Sequence, residues 1–377
     1  MRKEPVRIIL VGGFLGAGKT TLLARAAEQL VRRGKRVGLV TNDQAKNLVD
    51  NALLRQDGYS VQEVAGGCFC CRIGDLLGAA DRLLAEQRPD VLIGEPVGSC
   101  TDLSATVLQP LKDLYGERFR VAPFSVLADP ERLRQALGEG APQPFPESVT
   151  YIFLKQLEEA DLIVINKADT LGPGELAEVR TLLARRFPGR PVMAMSAAGG
   201  SGVEEWLATA LGDAPAGSRV VPVDYDVYAE GEAALGWLNA VAALHADGEA
   251  DWRIFCEEFL EHVRAQLQSR GAEVAHAKVL LSARGCEVAA NLTGNHADVS
   301  VRGDAASAAI EAQMVINVRA HIAPDDLRAV VEASLQAAAG QWCVATIESM
   351  QHFAPSRPQP VHRYTGVIER PSHGRKH

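Results

Sequence analysis

No stretch of this sequence stays apolar for about 18 consecutive residues, the length that a membrane-spanning helix needs. The chain starts with Met1-Arg-Lys-Glu-Pro5, and only six apolar-rich residues separate this start from a pair of glycines. Neither a signal peptide nor a spanning helix fits so short a segment. We therefore expect a cytoplasmic protein that has no membrane partner.

Positive charge is also in short supply, because 39 Lys and Arg face 47 Asp and Glu and the net charge is −8. This balance argues against general binding to nucleic acid or to an anionic membrane. The seven cysteines are an odd number without the spacing of a disulfide scaffold, and three of them lie within four residues. Reduced thiols at a metal or redox site are the better interpretation.

The 377 residues leave room for two domains. In the first half, short apolar strands alternate with helices, which predicts an α/β domain with a mostly parallel sheet. Beyond a linker at 212–218, longer strands and two helices predict a smaller α+β domain with antiparallel strands. The expected boundaries are 1–212 for the first domain, 219–340 for the second, and 341–377 for a proline-rich tail that is basic at its end and extended or mobile.

The stretch Gly13-Phe-Leu-Gly-Ala-Gly-Lys-Thr20 fits the phosphate-binding pattern G-x-x-x-x-G-K-[ST], between a predicted strand at 6–11 and a predicted helix at 21–31. Its glycines let the backbone wrap around phosphates, and the helix N-terminus adds positive potential. Lys19 is expected to reach the β- and γ-phosphates, and Thr20 to hold Mg²⁺. A glycine-rich turn without a ligand is the alternative. The predicted binding residues in this P-loop are Gly13, Gly16, Ala17, Gly18, Lys19, Thr20 and Thr21.

Acidic residues follow two further predicted strands. Glu95 begins the segment Glu95-Pro-Val-Gly98, in which the acid would orient Mg²⁺ or its water and the Gly98 amide would meet the γ-phosphate. Asp43 and Asp50 lie in a polar loop after the second strand, where either carboxylate could approach a metal. Since polar loops commonly contain acids, a plain surface role is the alternative for both.

A strand ending in Asn166-Lys167-Ala168-Asp169 predicts the base that is bound. The Asp169 carboxylate can accept both the ring N–H and the exocyclic amine of guanine, a donor pair that adenine lacks. Ser196 and Ala197, after the last strand of the domain, would contact the base edge through their backbone. These residues predict GTP as the nucleotide.

Three thiols follow two glycines in Gly66-Gly-Cys68-Phe-Cys70-Cys71. Thiolates are soft ligands for transition metals, and a structural zinc site would need four protein ligands. Cys68, Cys70 and Cys71 offer at most three, which predicts an open site suited to metal transfer. Merely buried or redox-sensitive thiols are the alternative, and Cys100 is expected to be a packing residue.

With these motifs in their order and spacing, residues 6–210 resemble the CobW-type GTPases. This resemblance implies slow GTP hydrolysis, binding of Zn²⁺ or Co²⁺ at the cysteine motif, and a link to metal- or cobalamin-dependent enzymes. Two departures stand out. Asn42-Asp-Gln-Ala-Lys46 replaces the family's Asn-Glu-Phe-Gly-Glu, with Asp50 retained, and the histidine-rich segment of zinc-specialised members is missing. Both make zinc a weaker candidate for the cargo and leave cobalt, iron or a corrinoid client open.

The sequence therefore predicts a GTP-hydrolysing metallochaperone or metalloenzyme activator with Lys19, Thr20, Glu95, Gly98 and Asp43 as catalytic residues. GTP, Mg²⁺ and Zn²⁺ or Co²⁺ are the expected ligands, and a metalloenzyme or corrinoid protein is the expected client. The metal, the client and a homo-oligomeric state stay open. A P-loop small-molecule kinase and a regulatory GTPase without metal cargo are the competing interpretations.

Overall fold

The computed structural model describes residues 4–43, 49, 60–138, 143–303, 309–340 and 343–369. Eight parallel strands form the first sheet, with the order β3-β2-β4-β1-β6-β7-β8 and with β5 paired to β1. The strands are β1 (Val6–Gly13), β2 (Val37–Asp43), β3 (Ser60–Ala65), β4 (Val91–Glu95), β5 (Phe119–Val121), β6 (Ser125–Ala128), β7 (Leu162–Ile165) and β8 (Val192–Ala194).

Helices cover both faces of this sheet, as the near-continuous apolar strands require. β1 and β4, for example, are buried along almost their whole length. A π-helical turn at Ser104–Leu108 precedes α3, and a short 3₁₀ turn spans Ala168–Thr170. The helices are α1 (Lys19–Arg32), α2 (Ile73–Glu86), α3 (Gln109–Leu114), α4 (Pro130–Leu137), α5 (Glu147–Glu159), α6 (Pro173–Arg186), α7 (Val203–Leu211) and α8 (Tyr225–Ala233).

The carboxyl ends of parallel strands meet at one edge of a sheet, where ligands of open α/β sheets bind. Here that edge carries the loop after β1, the acid that ends β4, and the segments after β7 and β8. The cysteine segment follows β3 at the same edge. The predicted nucleotide and metal motifs therefore share one edge of one sheet.

The second sheet is antiparallel, with the order β12-β11-β10-β13-β9-β14, and helices α9 and α10 pack against it. Helix α9 places its apolar stripe, which includes Trp252, Phe255 and Phe259, in a separate hydrophobic core. The elements are β9 (Gly236–Ala246), α9 (Trp252–Ser269), β10 (Val274–Ala283), β11 (Cys286–Leu292), β12 (Ser300–Gly303), β13 (Glu311–Ala320), α10 (Pro324–Ala339) and β14 (Cys343–Phe353).

These sheets confirm the predicted fold class, a parallel P-loop domain followed by an α+β domain. One boundary differs from the prediction. The tail was expected to begin at 341, but Cys343–Phe353 is an edge strand that pairs with β9 along its whole length. Its alternation of partly buried and exposed side chains is too weak to mark a strand in the sequence, and pairing with β9 supplies its stability.

Two further differences concern elements that the sequence pattern did not indicate. Strand β9, which lies between β13 and β14 in the second sheet, was not predicted, and neither were helices α4 and α5. No helix of the described ranges is both long enough and apolar enough to cross a membrane. The basic end of the chain, at 370–377, lies outside the described residues.

Candidate functional site

The loop after β1 has the geometry of a phosphate cradle. Gly16 and Gly18 have positive φ angles of 77° and 90°, a conformation that side chains rarely adopt. Helix α1 then begins at Lys19, so its free amides point into the loop. The Lys19 ammonium, 6% exposed, donates to the carbonyl oxygens of Gly13 and Phe14 at 2.8 and 3.2 Å. The loop thus holds a buried positive charge beside a helix N-terminus.

Two oxygen donors converge beside this lysine. The Thr20 hydroxyl donates to the Glu95 carboxylate at 2.9 Å, and the Lys19 ammonium lies 4.0 Å from the same carboxylate. Glu95 is buried at the end of β4, next to Thr41 of β2 in the sheet register. A hydroxyl and a carboxylate are hard oxygen ligands of the kind that Mg²⁺ prefers, so the donor set fits this ion.

Gly98 lies directly against the P-loop. A Cβ atom added there would stand 2.8 Å from the Leu15 side chain and 3.2 Å from its amide nitrogen, so a larger residue would push the loop aside. The Gly98 carbonyl accepts a hydrogen bond from the Gln156 amide at 2.9 Å, which fixes the segment from the opposite side. Glu95 and Gly98 are therefore both in contact with the phosphate-binding loop.

Asn166 joins three segments of the predicted base site. Its amide donates to the Ala17 carbonyl at 2.8 Å, and its oxygen accepts from the Ala197 amide at 2.9 Å. Ser196, 3% exposed, accepts from the Gly199 amide through its hydroxyl at 2.9 Å, which shapes the loop after β8. The P-loop, the Asn166 segment and this loop thus form one hydrogen-bonded unit.

Lys167 and Asp169 lie next to this unit. Lys167 has a left-handed backbone with a φ of 57°, and its ammonium pairs with Asp129 at 2.6 Å. Asp169 lies in the 3₁₀ turn, and its side chain is exposed to solvent. An exposed carboxylate is able to meet a purine base from solvent.

The cysteine segment turns sharply, as the use of all three thiols requires. Gly66 and Gly67 both have positive φ angles, and the amides of Cys71 and Arg72 donate to the Cys68 carbonyl at 3.1 and 2.9 Å. This turn leads directly into α2. It places the sulfurs on one side of the chain, although in an extended segment Cys71 would face away from the other two.

The three sulfur atoms converge closely enough to hold one metal ion. Cys68 Sγ lies 2.6 Å from Cys70 Sγ and 3.4 Å from Cys71 Sγ, and the third separation is 3.6 Å. Thiolates bound to zinc at about 2.3 Å in a tetrahedral arrangement stand about 3.8 Å apart. The soft donors and their spacing therefore fit a transition metal after a small opening of the Cys68–Cys70 pair.

Hydrogen bonds within the cluster shift the pKa of Cys68 in one direction and those of Cys70 and Cys71 in the other. Hydrogen bonds from the thiols of Cys100, Cys70 and Cys71, in that order of size, lower the pKa of Cys68 well below its ordinary value. Its bond to Cys68 is the main reason that the pKa of Cys71 is raised to about 11. A thiolate is the form that binds metal, so the cluster presents one ready ligand surrounded by thiols that must lose protons.

Asn42 connects the cysteine segment to the end of β2. Its amide donates to the carbonyl oxygens of Val64 and Gly67 at 2.9 and 2.7 Å, and its oxygen accepts from the Phe69 amide at 2.8 Å. The side chain is only 6% exposed. These three hydrogen bonds connect the end of β2 to the cysteine segment and hold that segment in its turned shape.

Part of the predicted acidic loop lies outside the described residues. Asp43 ends β2 with its backbone, but its side chain lies outside the described residues, as do Lys46 and Asp50. Val49 is described and is fully buried against Leu280 and Ala289 of the second sheet. Its amide also donates to the side-chain oxygen of Asn317 at 3.0 Å.

The second domain packs against the phosphate edge at other points as well. A Cβ atom on Gly16 would stand 3.1 Å from Thr293, and the Lys167 ammonium donates to the Thr293 hydroxyl at 3.3 Å. A buried ion pair of 3.1 Å joins Arg132 to Glu273 nearby. The second domain therefore forms one wall of the nucleotide edge.

His276 of β10 belongs to this wall. Burial, and after it the charges of nearby lysines, lower the pKa of His276 well below its ordinary value. Those lysines include Lys19 of the P-loop and Lys167 of the base segment. A cluster of cations around the loop favours the binding of phosphate groups.

Comparison with known proteins matches these features to a family. The family described as CobW/HypB/UreG, nucleotide-binding domain, matches residues 7–193. This range includes the P-loop, the cysteine segment, Glu95, Gly98 and the Asn166 segment. Residues 7–193 belong to the CobW-type P-loop GTPase family.

Two relatives of this chain are described as zinc chaperones. It is 28% identical to "Zinc chaperone CobW" of Pseudomonas aeruginosa over 66% of this chain and 63% of the relative. It is 32% identical to "Zinc chaperone YeiR" of Escherichia coli over 44% of this chain and 48% of the relative. The matches thus span about half to two thirds of those relatives' length.

One solved structure aligns with most of the chain at low similarity. The "Zn(II)-bound YjiA GTPase from E. coli" covers 88% of this chain and 99% of its own, with 16% identity and a TM-score of 0.35.

Two contacts of the cysteine segment were not predicted from the sequence. Asn42 was noted only as part of a polar loop, and nothing in its spacing indicates that it binds the cysteine segment. Cys100 was interpreted as a packing residue, and its buried side chain belongs to the same hydrophobic core as Cys68 and Cys70. The chain after β14 returns to the first domain and contacts the same cysteine segment, a long-range contact without a local signal.

Proposed function

We propose that this protein is a GTP-hydrolysing metallochaperone or metalloenzyme activator. It binds a transition metal at Cys68, Cys70 and Cys71 and delivers the metal to a client protein in a way that depends on the bound nucleotide. The observation that carries this proposal is the position of the cysteine segment. Asn42 ties it to the end of β2, so it shares a sheet edge with the P-loop and with Glu95.

The roles of the phosphate-binding residues follow from their contacts. Lys19 stabilises the negative charge that develops on the β- and γ-phosphates, from a buried position at the helix N-terminus. Thr20 would bind Mg²⁺ through its hydroxyl, and Glu95 would hold the ion or one of its waters. When bound, Mg²⁺ would neutralise part of the negative charge of the phosphates. The Gly98 amide meets the γ-phosphate, and Asp43 contributes a further carboxylate at this edge.

Base selection is assigned to the segment after β7. Asp169 accepts two hydrogen bonds from guanine, and Asn166 holds Ala17 and Ala197 in place around the base. Lys167, Ser196 and Ala197 complete the contacts. GTP is therefore the nucleotide that we propose.

Zinc is the first cargo to test, because the relatives that match this chain are described as zinc chaperones. Three thiolates also suit Co²⁺, which keeps cobalt as the second candidate. The cargo would pass to a client metalloenzyme or corrinoid protein. The geometry of a partly exposed Cys71 at the rim of the cluster favours such a transfer, since an incoming ligand can reach that sulfur first.

The two competing functions predict different experimental results. A small-molecule kinase would phosphorylate an acceptor, so a phosphorylated product would identify it. A regulatory GTPase without metal cargo would bind GTP equally well with or without metal. The convergence of the three sulfurs beside the nucleotide edge favours the metallochaperone over both.

Metal titration in two nucleotide states tests the proposal. The purified protein is titrated with Zn²⁺ and with Co²⁺ against a chromophoric chelator, once with GDP and once with a non-hydrolysable GTP analogue. We expect the metal affinity to differ between the states, because loss of the γ-phosphate moves the segments that flank the cysteines. Such coupling is reciprocal and typically amounts to about 5- to 150-fold.

The control variant replaces Cys68, Cys70 and Cys71 together by serine and should lose the metal in both states. Cys343, a free thiol of the second domain, provides the matched control, and Cys343→Ser should leave the affinities unchanged. Equal affinities in GDP and in the analogue, or unchanged binding by the triple variant, would reduce the protein to an ordinary GTPase.

A further inference from the structure

Residues 354–369, which we call the C-terminal strap, lie at the accessible side of the thiol cluster. The Gln359 amide donates to Cys71 Sγ at 3.1 Å. Next to it, the Val361 amide donates to the Cys70 carbonyl at 3.2 Å. Cys71 is the partly buried thiol of the cysteine segment, and the other two thiols are buried. A ligand that approaches the cluster from solvent therefore meets the strap beside the first sulfur that it can reach.

The local sequence of the strap prepares its contact with Cys71. A proline stands on each side of Gln359, and proline has a fixed φ angle and no amide hydrogen. The Gln359 amide is therefore the one backbone donor of Pro358-Gln359-Pro360, and it binds the Cys71 sulfur. Because a residue before a proline is restricted to extended conformations, little conformational entropy is lost when this donor is placed.

The strap is held to the first domain by separate hydrogen bonds, since residues 354–369 form neither a helix nor a strand. A segment with exposed backbone and few buried contacts opens at a lower free-energy cost than a packed core does. The start of the strap is fixed, because Phe353 at the end of β14 packs on Trp237 with a centroid separation of 6.1 Å. The strap can therefore open while β14 stays in its sheet.

An ion pair with a buried carboxylate fastens the strap. The Arg363 guanidinium donates to the Asp102 carboxylate at 2.7 Å, and Asp102 is 1% exposed. The Tyr225 hydroxyl donates to the same carboxylate oxygen at 2.8 Å. Hydrogen bonds between charged groups are roughly twice as strong as those between neutral groups. Loss of Arg363 would leave a buried negative charge without its cation, so the pair opposes opening of the strap.

This ion pair lies on the segment that follows Gly98, a residue in contact with the P-loop. Asp102 has a φ of 64°, a left-handed conformation that a side chain adopts only with support from its surroundings. Directly after it, the carbonyl of Ala105 in the π-helical turn accepts from the Tyr364 amide at 3.1 Å. A displacement of Gly98 would therefore reach two anchors of the strap.

We infer that the C-terminal strap gates the thiol cluster and that the Arg363–Asp102 pair latches it closed. This inference rests on the proposed nucleotide-dependent metal transfer and gives that transfer a gate. When the segment after Gly98 moves, the latch weakens and the strap leaves Cys71 open to a ligand of the client protein. Opening removes a cover from this sulfur and also a hydrogen bond to it.

The alkylation rate of Cys71 in metal-free protein tests the gate without reference to metal binding. Fragment ions in mass spectrometry report this rate, and hydrogen exchange of the Gln359 and Val361 amides in the same samples measures strap opening. Arg363→Gln should raise both rates about tenfold or more, since a hydrogen bond between charged groups is worth roughly that factor. Loss of the Gln359 donor alone would lower the thiolate fraction and slow alkylation, so a faster reaction reports access to the sulfur.

A second variant and a control separate the latch from a general loss of stability. Tyr364→Phe removes the bond of 2.6 Å from the Tyr364 hydroxyl to the exposed Asp113, so no buried charge is left unpaired. It should raise both rates less than Arg363→Gln does. Arg36→Gln is the matched control, because Arg36 pairs with Asp90 at 2.9 Å before β2 begins, at the opposite edge of the sheet. It should leave both rates unchanged.

Nucleotide control of the strap is measured on the unmodified, metal-free protein with GDP and with the non-hydrolysable GTP analogue. We expect the alkylation rates of Cys71 to differ by about fivefold or more, the lower end of typical coupling between two sites. Arg363→Gln should reduce this difference, since its latch is already open. Equal rates with the two nucleotides in the unmodified protein would overturn the link between Gly98 and the strap.

Equal alkylation rates in the unmodified protein, Arg363→Gln and Tyr364→Phe would overturn the gate. Faster amide exchange without faster alkylation would overturn it too, because the strap would then open without covering Cys71. Either result leaves the proposed function standing, since metal titration tests that function separately. Failure of the unmodified protein to bind metal would instead overturn the proposed function, while faster alkylation in Arg363→Gln would still establish the cover.

Discussion

Replacement of Lys19 by alanine is expected to abolish GTP hydrolysis while the protein stays folded. The Lys19 ammonium is buried between the carbonyl oxygens of Gly13 and Phe14, 4.0 Å from Glu95, where phosphate oxygens are expected. Removal of one preorganised charge of this kind costs about 10²- to 10³-fold in turnover. The measurement is phosphate release at saturating GTP, with circular dichroism and a melting curve to establish that the variant is folded.

Lys35 offers the control for charge. It is an exposed lysine at the start of β2, away from the P-loop, and Lys35→Ala should hydrolyse GTP at the normal rate. A folded Lys19→Ala variant with normal turnover would show that the loop is a structural turn.

Replacement of Asp169 by asparagine should transfer the nucleotide preference from guanine to xanthine. The carboxylate is predicted to accept the ring N–H and the exocyclic amine of guanine, whereas an asparagine side chain offers one donor and one acceptor. Xanthine carries a carbonyl in place of that amine and so matches the new pair. A site built around such hydrogen bonds rejects the wrong partner by on the order of 10⁴-fold.

Competition binding of GTP, XTP and ATP to the unmodified protein and the variant measures this change. Glu175→Gln removes a nearby exposed carboxylate that caps helix α6, and it should retain the preference for GTP. If the unmodified protein binds ATP and GTP equally, the assignment of Asp169 to the base is wrong.

Local signals were sufficient for much of the first domain. The strand before the P-loop, the helix after it and the strand that ends at Glu95 are each marked by an apolar run and by turn residues. The strands of the second domain were harder to predict from the sequence. Its main helices carry an apolar stripe, but β9 is stabilised by pairing with β13 and β14, and β14 by pairing with β9. Pairing between distant segments leaves little pattern in either segment alone.

The sequence by itself determined which chemical groups are present and which local backbone conformation carries each of them. Glycine, lysine and threonine at fixed spacing make a phosphate loop wherever a strand leads into a helix, and three adjacent thiols after two glycines make a turn that can bind metal. Spacing is enough for these features because all their atoms lie within one segment.

Only the tertiary structure decided how these groups are connected. Asn42 reaches the cysteine segment across 25 residues, and the chain after β14 returns to Cys71 across 288 residues. Each of these contacts depends on which strands are neighbours in the sheet and on where the second domain packs. Parallel strand order follows from the packing of the whole domain, and no short segment encodes it.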